Sequence, residues 1–315
     1  MTIFRDIDAL NPGRKKSAVA IGNFDGLHLG HAKILRVLCR ISRGGCLRPV
    51  VLTFDPHPER ALGRSRTLMI QTLEQRLALM KRRGLSTVLV TAFDERLSRL
   101  TPQEFVKKIL KDRLNAAAVV VGRDFRFGRN RTGTIKTLAA EGRALGLRVL
   151  SVPQVRRNGR VVSSSLIRAL LSQGRVEEAR QLLGRPYQVA GRVVSGRSVG
   201  RTIGFPTANL RSANEILPRG VFITLARVGT RLYPSVTNIG FRPTFGPGRL
   251  SLESLLLDFS GGLYGRPMDV HFLKKIRQER KFSSPAALAG RIALDVQSAR
   301  DYFKSHKLEK FILQV

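Results

Sequence analysis

Short apolar runs alternate with amphipathic stretches through the first half of the chain. Runs at Ala18–Ile21, Val50–Phe54, Thr87–Thr91, Ala117–Val121 and Arg148–Val152 have the length and β-branched content of buried strands. Between them, apolar residues recur at helical spacing over Ala32–Ser42, Leu73–Arg83, Pro102–Leu114 and Lys136–Leu145. Leu73, Leu77 and Met80 make one face, and Thr101-Pro102-Gln103-Glu104 supplies an N-cap, a first-turn proline and a carboxylate. This alternation predicts a parallel, doubly wound α/β sheet that takes its ligands at the carboxyl ends of the strands. Two further helical patterns, Ser164–Ser172 and Val176–Leu183, are expected to close this first domain.

The pattern changes at Gly184-Arg185-Pro186. From Tyr187 to Phe272 short alternating segments are separated by Gly, Pro, Ser and Asn turns, as in an antiparallel β-barrel. Gln188–Val194, Val221–Ala226, Pro234–Asn238, Leu252–Asp258 and Met268–Phe272 are the clearest strands. A last helix runs from about Ser284 to Tyr302, with Leu288, Ile292, Val296 and Ala299 on one face. Domains are therefore expected at 1–184 and 185–315, with no internal repeat.

Composition adds bounds. At 315 residues and 43% hydrophobic content the chain can build two cores, and no apolar run is long enough to span a membrane. The opening Met-Thr-Ile-Phe-Arg-Asp-Ile-Asp lacks a basic segment followed by an apolar one, and Cys39 and Cys46 match no zinc or redox spacing. A reducing, cytoplasmic setting is expected. The net charge of +34 is spread along the whole chain. It would hold polyanions non-specifically, but no RNA- or DNA-reading motif accompanies it, which favours a compositional origin.

Candidate chemistry starts where the first strand ends. Ala20-Ile21-Gly22-Asn23-Phe24-Asp25-Gly26-Leu27-His28-Leu29-Gly30-His31 runs from strand through a glycine-rich turn into a helix. Glycines let backbone approach a ligand, amides at the helix start attract phosphate, and imidazoles there can stabilise charge building on an α-phosphate. The H-x-G-H spacing is the nucleotidylyltransferase signature, not the dinucleotide fingerprint or the P-loop. Thr53-Phe54-Asp55-Pro56-His57-Pro58 ends the next strand, where His57 either contacts substrate or orients the loop. Val121-Gly122-Arg123-Asp124-Phe125-Arg126-Phe127-Gly128 ends a third. Phe125 and Phe127 either flank a planar ring or belong to the core, and Asp124 with the glycines tilts the balance to a binding loop. Ser163-Ser164-Ser165-Leu166-Ile167-Arg168 opens a helix with hydroxyls and a cation suited to phosphate.

In the second half, Gly196-Arg197-Ser198-Val199-Gly200-Arg201-Thr202-Ile203-Gly204-Phe205-Pro206-Thr207-Ala208-Asn209 joins a glycine-rich loop to P-T-A-N. The loop can wrap phosphates, with Gly196, Gly200, Arg201 and Gly204 as candidates. Thr207 and Asn209, two apart on an extended segment, offer oxygens to Mg²⁺ or phosphate. Glu253, in a leucine-rich strand, can take a proton from an attacking alcohol.

These strings, with L-G-R-P-Y, N-I-G-F-R-P-T-F, L-Y-G and the terminal helix, resemble the bacterial bifunctional riboflavin kinase/FAD synthetase family in order and over nearly the whole chain. The resemblance implies two ATP-dependent reactions. Riboflavin is phosphorylated to FMN in the C-terminal domain, and FMN is adenylylated to FAD with release of pyrophosphate in the N-terminal one. It implies Glu253 as base, Thr207 and Asn209 holding Mg²⁺–ATP, and Arg277 near the flavin. It implies His28 and His31 at the adenylyl transition state, with Gly22, Asn23, Phe24, Asp25 and Gly30 binding nucleotide. Ser164, Ser165 and Arg168 would bind the pyrophosphate side, with Asp124, Phe125 and Phe127 placing ligands. One departure touches a motif: the family's E-x-H is Glu253-Ser254-Leu255 here. It leaves open a chain in which only adenylylation survives, and the charge leaves open RNA binding on an enzyme scaffold.

Overall fold

Every residue of β2 (Ser17–Ile21) is buried, because neighbouring residues enter two different apolar cores. Together with β1 (Thr2–Phe4), β3 (Arg48–Phe54), β4 (Thr87–Thr91), β5 (Ala116–Gly122) and β6 (Arg148–Val152), it forms a six-stranded parallel sheet. These elements come from a computed structural model described over residues 1–9, 15–196, 199–241 and 250–306. One face of the sheet (Val19, Ile21, Val50, Leu52, Val119, Val121) packs on Phe105, Val106, Leu110 and Leu138. The other (Ala18, Ala20, Val51, Val88, Val120) packs on Leu35, Leu38, Leu77 and Met80. Helices on both faces explain the unbroken apolar runs, which alternation alone would not produce.

The helices of this unit are α1 (Leu29–Gly44), α2 (Pro58–Ala61), α3 (Leu73–Arg82), α4 (Glu95–Arg99), α5 (Pro102–Glu104) and α6 (Ile135–Ala144). α5 continues as a π-helix over Phe105–Arg113, where helical spacing predicted one α-helix. The strand order β1-β4-β3-β2-β5-β6 reverses direction of progress between β2 and β5. A doubly wound sheet binds ligands at that switch point, outside the carboxyl ends of the two strands. The Gly22–His28 turn follows β2 and the Arg123–Gly128 loop follows β5, so the topology brings both to the same edge. A small hairpin, β7 (Arg156–Arg157) and β8 (Arg160–Val161), ends the unit.

The chain divides into compact units between Ser163 and Ser164, with Met69–Gln71 belonging to the second. There α7 (Ser164–Ser172) and α8 (Val176–Leu183) pack together, and α8 lies on strands of the barrel. The Lys275 amide donates to Glu177 Oε1 at 3.1 Å. The two helices form over the expected ranges, each with one buried apolar side, but they group with the barrel and not with the parallel sheet.

After β9 (Tyr187–Val194) and α9 (Val199–Thr202) come β10 (Ala208–Ser212), β11 (Gly220–Val228), β12 (Arg231–Phe241), β13 (Leu250–Leu256) and β14 (Pro267–Arg277). The strands close as β10-β13-β12-β11-β14-β9, every described pair antiparallel. Inside, buried hydroxyls satisfy one another: Ser235 with Thr224 at 2.8 Å, Thr224 with Thr237 at 2.7 Å, Thr237 with Ser254 at 3.0 Å. Outside, Val221, Ile223, Val236, Leu255 and Leu273 form a patch covered by α10 (Pro285–Ser305) through Ile292, Val296 and Ala299.

Candidate active sites

The turn after β2 is built from backbone that few residues tolerate. Phe24 (φ 50°), Gly26 (φ 80°) and Leu27 (φ 39°) all lie in the left-handed region. For non-glycine residues such strain costs about 1–3 kcal/mol each. Phe24 and Leu27 are fully buried among Leu35 and Leu38, and burial of such side chains contributes about 1.5–3 kcal/mol each, which offsets it. The buried side chains thus hold the shape of the loop.

His28 caps α1. Its Nδ1 accepts from the amides of Gly30 (3.1 Å) and His31 (3.3 Å), so a neutral ring carries its proton on Nε2. The hydrogen-bond network thereby fixes His28 Nε2 as a donor. The His31 ring stacks on it at 3.7 Å between centroids and meets Phe24 edge-on at 5.2 Å. A Cβ on Gly30 would press on the His28 ring at 3.0 Å, which accounts for the glycine inside H-x-G-H.

His57 works the same way, and the loop-orienting reading gains support. Its Nδ1 accepts from the Glu59 amide at 3.2 Å, and its Nε2 lies 2.8 Å from the Asn23 carboxamide. The Asp55–Pro56 peptide beside it is cis.

Sequence reasoning missed Arg76. Its side chain is 2% exposed, and it donates to the backbone carbonyls of Asn23 (2.6 Å) and Phe54 (3.3 Å). It thus ties the loops after β2 and β3 together. Burial pushes its guanidinium pKa down, while the nearby carboxylates of Asp25 and Asp55 pull the other way. A signal existed: Arg76 sits on the apolar face of α3, between Leu73 and Met80.

At the end of β5, Asp124 is exposed, and Phe125 and Phe127 stack with rings 11° from parallel. Phe127 is buried against Phe105 in the core, so it supports the loop, and Phe125 is the ring nearer the surface. Ser164, Ser165 and Arg168 occupy the first turns of α7, in the second unit.

The second constellation is assembled by strand register. Asn209 on β10 pairs directly with Glu253 on β13, which pairs directly with Asn238 on β12. Direct antiparallel partners share a face, so the three make one row across the outside of the barrel. Thr207 Oγ1 lies 3.4 Å from Glu253 Oε2. A Cβ on Gly196 would fall on the Asn209 carboxamide, and one on Gly200 would strike the Phe205 carbonyl and crowd Thr207. At both positions the absence of a side chain leaves room for Asn209 and Thr207. Arg201 and Gly204 are exposed nearby in sequence, and Arg197, Ser198 and residues 242–245 of the quoted motifs lie outside the described residues.

Arg277 anchors the terminal helix. Its guanidinium makes a bidentate clamp on buried Asp295 of α10 (Nε to Oδ1 3.1 Å, terminal nitrogen to Oδ2 2.7 Å), and Arg291 Nε lies 3.2 Å from Oδ1. Leu255, at the motif departure, is packed opposite Val236 in the patch under α10, which explains an apolar residue there.

Comparison with known proteins matches each half of the chain to a family. The FAD synthetase family model matches residues 11–166, and the riboflavin kinase family model matches residues 183–303. A bifunctional riboflavin kinase/FMN adenylyltransferase of Bacillus subtilis is 37% identical over 92% of this chain and 93% of its own. That of Escherichia coli K12 is 36% identical, covering 96% and 98%. The chain belongs to this family. A solved structure described as a macrolide-efflux protein from Streptococcus pneumoniae also matches, with TM-score 0.87 and 30% identity over 95% of this chain and 98% of that one. Among the described residues of the present chain, no helix is long and apolar enough to cross a membrane.

Proposed function

We infer that this chain makes FMN from riboflavin and ATP, and FAD from FMN and a second ATP. The observation that carries the reading is that each half matches the family model of one of the two activities, residues 11–166 and 183–303. We draw the functional boundary at 184/185, which counts α7, with its Ser164, Ser165 and Arg168, and α8 with the adenylyl-transfer half although both group with the barrel.

In the kinase reaction, the riboflavin 5′-oxygen attacks the γ-phosphorus, its proton passes to Glu253, and ADP leaves. Thr207 and Asn209 position the nucleotide, and the Gly196–Gly204 segment encloses its phosphates. Mg²⁺ fits the donors present: a hydroxyl and a carboxamide oxygen beside one carboxylate suit a hard cation that is bound mainly through substrate phosphates. Among the described residues no cluster of three or more His, Cys, Asp or Glu side chains is placed to hold a metal by itself. When bound, Mg²⁺ would offset phosphate charge, held by Thr207 and Asn209.

In the adenylyl transfer, an FMN phosphate oxygen attacks the α-phosphorus and pyrophosphate leaves. His28, with Nε2 as donor, and His31 stabilise charge on the α-phosphate; Ser164, Ser165 and Arg168 bind the departing side. Asn23, Asp25, Gly22, Gly30, Asp124 and Phe125 shape the nucleotide pocket. Neither step needs a covalent enzyme intermediate. We place the protein in the cytoplasm, where its free thiols Cys39 and Cys46 would persist. The +34 charge adds salt-sensitive, non-specific affinity for polyanions.

A chromatographic time course tests the reading. With riboflavin, ATP and Mg²⁺, FMN should appear before FAD; with FMN in place of riboflavin, FAD should form at once. FAD from FMN with nothing from riboflavin would limit the chain to adenylylation and point to the Leu255 position.

A further inference from the structure

The polar row on the barrel has two unlike flanks. On the β10 side of Glu253 stand Asn209, the Thr207 hydroxyl and the close-packed glycines 196 and 200, which offer oxygens and backbone amides. On the β12 side stands Asn238, and the residue after it in the row is Val221 on β11, part of the apolar patch with Val236 and Leu255. Polyphosphate suits the first flank. A neutral polyol chain attached to an apolar ring suits the second.

Asn238 itself is unexplained by the fold. Its side-chain oxygen is inaccessible to water and has no hydrogen-bond partner. Turning the carboxamide over would only leave its NH₂ there instead. Buried polar groups are nearly always paired, and an exception beside a reacting centre marks a place where substrate completes the bonding. Cβ atoms of directly opposed residues lie about 5 Å apart, so a group bound at Glu253 is within reach of Asn238.

We propose that Asn238 is a substrate-contacting residue of the kinase reaction. Its carboxamide bonds the ribityl hydroxyl next to the one that Glu253 deprotonates, and so selects a polyol acceptor and aligns it. This rests on the reading of Glu253 as the base of the kinase site.

The test compares riboflavin with 4′-deoxyriboflavin as acceptors, as a ratio of kcat/KM on one protein sample. That ratio is independent of the fraction folded. The full chain should prefer riboflavin by about 100-fold, since the analogue leaves the buried Asn238 carboxamide without a partner. The near-isosteric Asn238→Leu should bring the ratio close to one, while Asn238→Asp, which keeps an acceptor oxygen, should retain much of it. KM for ATP and the adenylylation of FMN should stay within about two-fold of wild type in both variants. A ratio unchanged in Asn238→Leu would overturn the proposal. So would a wild-type enzyme indifferent to the 4′-hydroxyl. Glu253→Gln is measured alongside: full kinase activity in that variant would sink the base assignment itself, a failure distinct from an unchanged ratio at Asn238.

Discussion

The two sites in this chain are encoded in different ways. In the first unit, His28, Gly30, His31 and the left-handed turn before them lie within one strand-turn-helix passage, and the sheet's switch point supplies its location. In the second, Asn209, Glu253 and Asn238 come from three strands, and only barrel register makes them neighbours. A locally encoded site depends on loop geometry and on the few side chains that pin the loop. A register-encoded site depends on the whole barrel staying closed. The difference teaches where each is vulnerable: the first at its ties, the second at its seams.

Breaking the tie should give the largest effect. Arg76→Met leaves the Asn23 and Phe54 carbonyls without their donor; the loss of a buried, hydrogen-bonded charge predicts destabilisation of about 3 kcal/mol. FMN adenylylation should fall about 100-fold, with Arg76→Lys recovering part of it, whereas riboflavin phosphorylation at a permissive temperature should be unaffected. Denaturant melts with separate assays of the two reactions would check this.

At the second site, Gly196→Ala should displace the Asn209 carboxamide and raise KM for ATP in the kinase reaction about ten-fold, leaving adenylylation alone. Asp295→Asn cuts the clamp that holds α10. It should lower the stability of the barrel by about 2–3 kcal/mol, read as a shifted unfolding midpoint while the parallel sheet unit is unchanged.

The smallest effect concerns acid. Hydrogen bonds from Lys108 and Thr101 hold the Glu104 carboxyl down at about 2, against an ordinary value of 4.5. A depressed carboxyl adds stability above its unfolded value, which is lost as pH falls towards 2. The melting difference between wild type and Glu104→Gln should therefore shrink steadily below about pH 4.5.

Legibility followed the same division. Strands β4 and β6 have the bounds that their β-branched runs predict, and H-x-G-H sits at a helix start as its spacing requires. β1 was not readable, being three residues on an edge, nor was β7–β8, where Arg157 faces Arg160 without apolar alternation. β10 was hidden by its polar sequence, Ala-Asn-Leu-Arg-Ser, although P-T-A-N marked it as chemistry. The amphipathic faces of α7 and α8 show that they bury one side, but not against which unit. Arg76 and Asn238 escaped because one depends on the loops a helix meets, the other on a pairing register.

The central claim is that two chemically separate sites share one chain. The most direct measurement assays both half-reactions on His28→Ala and on Glu253→Gln. Loss of one imidazole donor should lower FAD formation from FMN about 100-fold, and loss of the base should lower FMN formation from riboflavin about 1,000-fold. In each variant the other reaction should keep its wild-type rate. One substitution that abolishes both reactions in a folded protein would contradict the account.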